Sequence, residues 1–391
     1  MKKLLKVILI AVVSLLVLVY GGVFLGHKVF FPIKMSGVPT IEPVSDGTFL
    51  FGPQAHAAQP KTIEEFIPVL AEQLRLYNAA APGLWPDNKV VNQSAVVEGI
   101  ESGKFWYISP DGRVKSLSKN EALSYGFARN AFVGGFSPYE GGMYLAVAEE
   151  DLPNYLMWER YLHLGTYDSI LFLTHEGFHL KEQKAPKWQV ISGEVPNSER
   201  NAFLENTPSR AKRGLLQRQL MKAVSEPGNT PLILEALSTY ADWKAQFPDE
   251  YKNSTYFERI EGTAFYYEMI TGLYAGYPNQ VNSGNLDKAL ALLAARDDVY
   301  VRYGLVMESY KVSGFACVLL DRLEENWKER LMGDSEATPI EMLYRRFKGE
   351  TLPAPRQLTQ AEIDAVAEEI KKPDINRGMP LVFQALYDML F

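Results

Sequence analysis

Apolar residues recur along this chain with two different periods, and the changes between them mark its parts. Thr62, with Glu64 and Glu65 behind it, resembles a helix start, and Phe66, Val69, Leu70, Leu74 and Tyr77 follow at helical spacing. A first amphipathic helix is predicted to about Asn78. Residues 89–148 switch to short apolar runs broken by turn residues. Phe105-Trp106-Tyr107-Ile108 and Val114 flank Pro110-Asp111-Gly112, whose glycine and fixed proline φ suit a hairpin. Gly134, Gly135, Gly141 and Gly142 break the stretch from Ala131 to Ala148, and Met143 to Val147 reads as another strand. A small mixed or antiparallel sheet belongs here. Beyond Glu150 the helical period returns, with amphipathic runs near 151–164, 168–183, 209–224, 231–246, 255–274, 286–295, 304–330 and 359–371.

The amino terminus has a third pattern. After Lys2, Lys3 and Lys6, the run from Val7 to Leu25 carries no charge. At about 1.5 Å per helical residue it matches the roughly 30 Å hydrocarbon core of a bilayer. It reads as a transmembrane signal anchor over 1–29, longer than the about 7–15 apolar residues of a cleaved signal peptide. The preceding lysines favour a cytoplasmic amino end, so the rest of the chain is expected outside the cytoplasm at a cell membrane. Pro32, Pro39, Pro43 and Pro53 break any helix through 30–60, which reads as an extended linker. The fold class is therefore α+β and predominantly helical. One body spans 61–391, its 61–150 part mixed α/β and its 151–391 part helical. The apolar positions Ile363, Val366, Ile370 and Met379 to Phe391 are expected to pack on that body.

Composition removes some functions. With 391 residues, 47% of them hydrophobic, the chain can bury a sizeable core. A net charge of −7 argues against nucleic acid as a partner, because phosphate binders concentrate Lys and Arg. Cys317 is the only cysteine, so neither an internal disulfide nor a thiolate-rich zinc finger can form. Its apolar setting, Gly314-Phe315-Ala316-Cys317-Val318-Leu319-Leu320, reads as a buried inert thiol.

The chemistry is concentrated in Thr174-His175-Glu176-Gly177-Phe178-His179-Leu180, which contains His-Glu-x-x-His. On a helix, residues four apart share a face, so the imidazoles of His175 and His179 can meet one metal ion. Glu176 then lies where it can take a proton from a metal-bound water. The chain has five histidines, and two at this spacing beside a Glu are a specific signal against the reading of two ordinary polar histidines. His163, His27 and His56 lack ligand spacing. A catalytic zinc ion keeps three protein ligands and a water, so a carboxylate must come from a later helix. Glu261, 82 residues after His179, is preferred because Gly262 and Ala264 are expected to let its helix pack closely against the one that bears the histidines. Glu235 is the alternative, and Glu258 is expected to orient a ligand.

The pair His175-Glu176-x-x-His179 and Glu261-Gly262-Thr263-Ala264-Phe265-Tyr266 resembles the gluzincin metallopeptidases, in which a Glu-Gly-x-Ala-x-Tyr-like helix completes the zinc site. The resemblance covers two short motifs within roughly 100 residues, and the gap between them is longer than in the thermolysin-like and aminopeptidase branches. It implies a zincin body, a Zn2+ cofactor, a peptide or protein substrate and a small upstream sheet whose edge strand holds extended peptide. Gly141 to Leu145 could be that edge strand or an ordinary hairpin strand. Tyr310, ahead of Tyr303 and Tyr266, is the candidate donor to the oxyanion of the reaction. The expected activity is membrane-anchored zinc-dependent peptide hydrolysis. The competing readings are a non-catalytic tethered binding or assembly module and a zinc hydrolase of a non-peptide amide.

Overall fold

The structure, a computed structural model, describes residues 62–128, 136–147, 149, 168–188, 203–276, 281, 285–296, 299, 301 and 304–371. Apart from Lys371 these fall within one unit of the chain, Thr40–Ile370. No helix among them is long and apolar enough to cross a membrane. The expected anchor over 1–29, the linker over 30–60, the helix near 151–164 and the apolar residues from Met379 lie outside the described residues.

Helix α1, Ile63–Ala80, begins at Thr62, whose hydroxyl accepts the Glu65 N–H. It turns Phe66, Leu70, Leu74 and Tyr77 inward, as the spacing predicts. Five strands follow: β1 Ser94–Gly99, β2 Phe105–Ile108, β3 Val114–Leu117, β4 Phe136–Tyr139 and β5 Gly142–Val147. A short helix, α2 Lys119–Leu123, follows β3 and opens with a capping box between Ser118 and Glu121. The sheet order is β3-β2-β1-β5-β4, with β1 and β5 parallel and the other pairs antiparallel. Alternation along the strands divides two cores. Ala95, Val97, Met143, Leu145 and Val147 face the helical body, whereas Val96, Tyr144 and Ala146 join Phe105 and Phe127 on the opposite face. The Gly141–Leu145 segment is therefore not an edge strand, because β5 is paired on one side with β1 and on the other with β4. The parallel partner β1 follows from sequence far upstream, which no local pattern around Gly142 can reveal.

The helical part comprises α3 Asp168–Gly177, α4 Thr207–Ser225, α5 Thr230–Gln246, α6 Pro248–Gly276, α7 Leu286–Arg296, α8 Gly304–Leu323, α9 Trp327–Gly333, α10 Pro339–Arg346 and α11 Gln360–Lys371. The single helix expected over 304–330 is two, interrupted between Leu323 and Trp327. Helix α10 carries a signal that apolar periodicity overlooks: Thr338 caps it through the Glu341 N–H, and Pro339 occupies its first turn. Helix α6 starts earlier than its apolar spacing indicates, at Pro248, with Asp249 and Glu250 in the first turn. It is the axis of the body, with residues on all its faces buried between α3 and α8. Cys317 is buried on α8 and burial pushes its thiol well above the usual range, the inert thiol its setting predicts.

Two reciprocal notches let α6 and α8 approach. A Cβ at Gly262 would lie 2.2 Å from Ser313 Cβ and 3.1 Å from the Ser309 carbonyl oxygen, and a Cβ at Gly314 would lie 2.4 Å from Phe265 Cδ1. Gly262→Ala is accordingly expected to destabilise the protein by about 1–3 kcal/mol, because overpacking exceeds the roughly 1 kcal/mol of helix propensity gained. Adding Ser313→Gly should recover part of the loss in urea denaturation of the double variant; additive losses would contradict the notch.

Candidate metal centre

The helix carrying His175 is fixed by the two residues its motif leaves unspecified. Gly177 packs where a Cβ would stand 2.9 Å from Val90 Cγ1. Phe178 is fully buried, edge-on to Trp85 at 4.9 Å and stacked on Tyr267 at 4.7 Å between ring centroids. With these turned inward, His175, Glu176 and His179 occupy the other side of the turn. The helix continues through a π-helical stretch, Phe178–Glu182, closed by the Gln183 N–H donating to the Phe178 carbonyl at 2.9 Å. The expected cap at Asp168 or Ser169 rests on side chains outside those described.

Glu261 approaches from α6. His175 Nε2 and His179 Nε2 are 3.1 Å apart, and Glu261 Oε2 stands 3.2 Å from the nitrogen of His179 and 3.4 Å from that of His175. Three donors at about 2.0–2.2 Å from one tetrahedral ion stand about 3.3–3.6 Å apart, so the triangle matches the span such an ion requires. Two imidazoles and one carboxylate form a donor set that zinc accepts, with a further position left for water. These three are the only group of such donors brought together among the described residues. Glu235 is exposed on α5 and takes no part.

Both rings are oriented from behind. His175 Nδ1 lies 2.8 Å from Glu268 Oε2, and His179 Nδ1 lies 2.6 Å from Gln183 Oε1. The Gln183 amide cannot be reversed without loss, because its Nε2 donates to the Ile260 carbonyl at 2.7 Å and to Thr263 Oγ1 at 2.9 Å. His179 Nδ1 is therefore the N–H donor, and its Nε2 presents a lone pair to the site. Glu268 directs His175 in the same sense. Glu258, the expected orienting residue, is fully buried but pairs with Arg213 at 2.6 Å instead. Glu268 and Gln183 escaped the sequence reading, although both repeat helical spacings: Glu268 is two turns after Glu261, and Gln183 one turn after His179.

Tyr310, on α8, completes the surroundings. Its ring stacks on His175 at 5.5 Å between centroids and 10° between planes, and its phenol lies near enough to Glu261 for that carboxylate to act on it. Burial, and then the Glu261 charge beside it, raise its pKa well above the usual phenol value. Glu176 is half-buried, and its charge reaches both Tyr310 and Glu268. Tyr266 is elsewhere, donating to Asp321. Tyr303, His163, His27 and His56 lie outside the described residues.

The site is electrostatically strained toward holding positive charge. Burial opposes the charged form of His175, but hydrogen bonds to Glu261 and Glu268 outweigh it and raise its pKa to about 10. Burial likewise opposes ionised Glu261, yet the bonds to His175 and His179 hold its carboxyl well below the usual range. Burial raises the Glu268 pKa. A cation placed in the triangle would compete with the His175 proton for one nitrogen lone pair. If the triangle takes zinc, uptake near neutral pH is expected to release about one proton, and apparent affinity should rise with pH toward about 10. Calorimetry in buffers of different ionisation enthalpy measures the release; uptake without it would contradict the arrangement. Glu268→Ala should weaken zinc binding about 10–100-fold in competition with a chromophoric chelator, and Glu268→Gln, which keeps an acceptor, should weaken it less. No family model, no curated protein and no solved structure matches this chain.

Proposed function

We propose that this protein is a zinc-dependent hydrolase of peptide bonds, of the gluzincin kind, tethered to a cell membrane by residues 1–29 with its body outside the cytoplasm. The observation that carries the reading is the triangle of His175 Nε2, His179 Nε2 and Glu261 Oε2, with edges of 3.1, 3.2 and 3.4 Å. The two Nδ1 contacts support it further, since a metal site needs its imidazoles held in one tautomer. The uncharged run from Val7 to Leu25 supports the tether.

Bound zinc would supply an acidified water and a Lewis acid for a carbonyl oxygen. The remaining steps belong to the chain. Glu176, next to His175 and partly open to solvent, accepts the proton of the attacking water and returns it to the departing amine. Tyr310 holds a proton that its raised pKa keeps in place at neutral pH. Its ring covers His175 and the Glu261 charge acts on its phenol, which supports assigning its hydroxyl to the oxyanion that would develop at the triangle.

The test uses the purified full chain. Metal analysis is expected to find about one zinc per protein. The Glu176→Gln variant should retain the metal while losing about 10²–10⁴-fold in peptide cleavage. Zinc-loaded wild type that leaves a broad peptide library intact would remove the peptidase reading. Tyr310→Phe should lower kcat more than KM at unchanged zinc content; an equal kcat would show that the phenol serves only Glu261.

A further inference from the structure

Beneath the metal centre lies a set of buried charges that hydrolysis does not use. Arg213, on α4, has no exposed side-chain surface. Its Nη1 donates to Glu258 Oε1 at 2.6 Å, its Nη2 to Ser309 Oγ at 3.2 Å, and its Nε approaches Glu308 Oε2 at 3.4 Å. The guanidinium lies 4.5 Å from the centroid of the Trp243 ring on α5. One turn earlier, Arg210 donates to the same Glu308 oxygen at 2.7 Å and to Glu250 at the start of α6. All three nitrogens of Arg213 are thus turned onto two helices, α6 through Glu258 and α8 through Ser309 and Glu308.

Those contacts stand beside the functional residues. Glu258 is one turn before Glu261 on α6, and Ser309 immediately precedes Tyr310 on α8. The glycine notches set how near α6 and α8 come, but a notch lined by small side chains constrains sliding poorly. A slip of one residue moves a side chain about 1.5 Å along the axis, enough to shift the Tyr310 ring off His175 and away from Glu261. A planar fork with directional bonds to both helices resists that slip. Its burial also costs desolvation that an apolar residue of similar size would avoid, so stability alone does not account for it.

We propose that Arg213 is a positioning residue that locks the register of α6 against α8 and thereby holds Glu261 and Tyr310 in their mutual geometry. The inference rests on the reading of His175, His179 and Glu261 as a metal centre, but its mechanical part stands apart from any metal. The experiment therefore has two arms on the full chain. In the first, 3-fluorotyrosine replaces Tyr310 and its ¹⁹F shift is read in metal-free protein for wild type, Arg213→Lys and Arg213→Met. In the second, cobalt affinity and the visible d–d spectrum are measured for the same proteins. Phe105→Leu, in the core on the far face of the sheet, serves as a control for lost stability without a changed register.

The expected result is a displaced ¹⁹F resonance and about tenfold weaker cobalt binding with an altered d–d spectrum in both Arg213 variants, and neither in the control. Lysine should restore little, because a single ammonium cannot bridge both helices as the fork does. Folded Arg213 variants with the wild-type ¹⁹F shift would overturn the inference. Wild type that binds no cobalt would instead count against the metal centre, and the fluorine arm would still decide whether Arg213 positions Tyr310.

Discussion

The partnering of polar groups buried along α6 governs most of this structure, although single atoms such as Glu258 Oε2 and, on α8, Glu308 Oε1 keep no hydrogen-bond partner. A helix covered on all sides would ordinarily be apolar, yet α6 buries Glu258, Arg259, Thr263, Glu268 and Thr271. Removing such groups from water is costly unless each is bonded in return. The partners come from three directions: His175 and Gln183 from the motif helix, Arg213 from α4, and Tyr310 from α8. Each partner therefore acts twice, relieving a buried group on α6 and bringing another helix to a defined place along it. The donor triangle is the point at which these demands converge, because Glu261 reaches both imidazoles where the motif helix is seated on α6.

This dependence explains which parts were legible in the sequence. The His-Glu-x-x-His spacing and the hairpin turn at Pro110-Asp111-Gly112 are local, since their consequences follow from a few residues and the geometry of one element. Glu261 rather than Glu235 does stand beside the two histidines, but not for the reason its sequence suggested: Gly262 is notched against Ser313 of α8, not against the helix that carries His175. The roles of Glu258 and Glu268 were not legible. Both are glutamates on one face of a long helix, and only the arrival of Arg213 at one and His175 at the other separates them. Neither partner's position is encoded near α6, so no periodicity within it could assign the two carboxylates.

The position of β5 was hidden for a similar reason. Its glycines and its alternation are compatible with an edge or an interior strand. Pairing with β1, which begins at Ser94, is a long-range event. Gly142 then acquires a sharper meaning than turn formation. A Cβ there would lie 2.1 Å from the Ser94 carbonyl oxygen, so glycine is needed for the strands to meet at all.

Orientation of the two histidines illustrates how the body can serve the site without touching the reacting atoms. His179 is held by Gln183, and Gln183 by a carbonyl and a hydroxyl of α6, so its ring is referred to the same helix that supplies Glu261. His175 is referred to α6 as well, through Glu268. All three donors are thus referred to one helix, α6. Tyr310 is the exception. Its ring lies on His175 and its phenol feels the Glu261 charge, but its backbone belongs to α8, so its place depends on the relation between helices. The candidate site therefore depends on α6 for its three donors and on α8 for the ring that covers His175, so the register between these two helices bears on the whole arrangement.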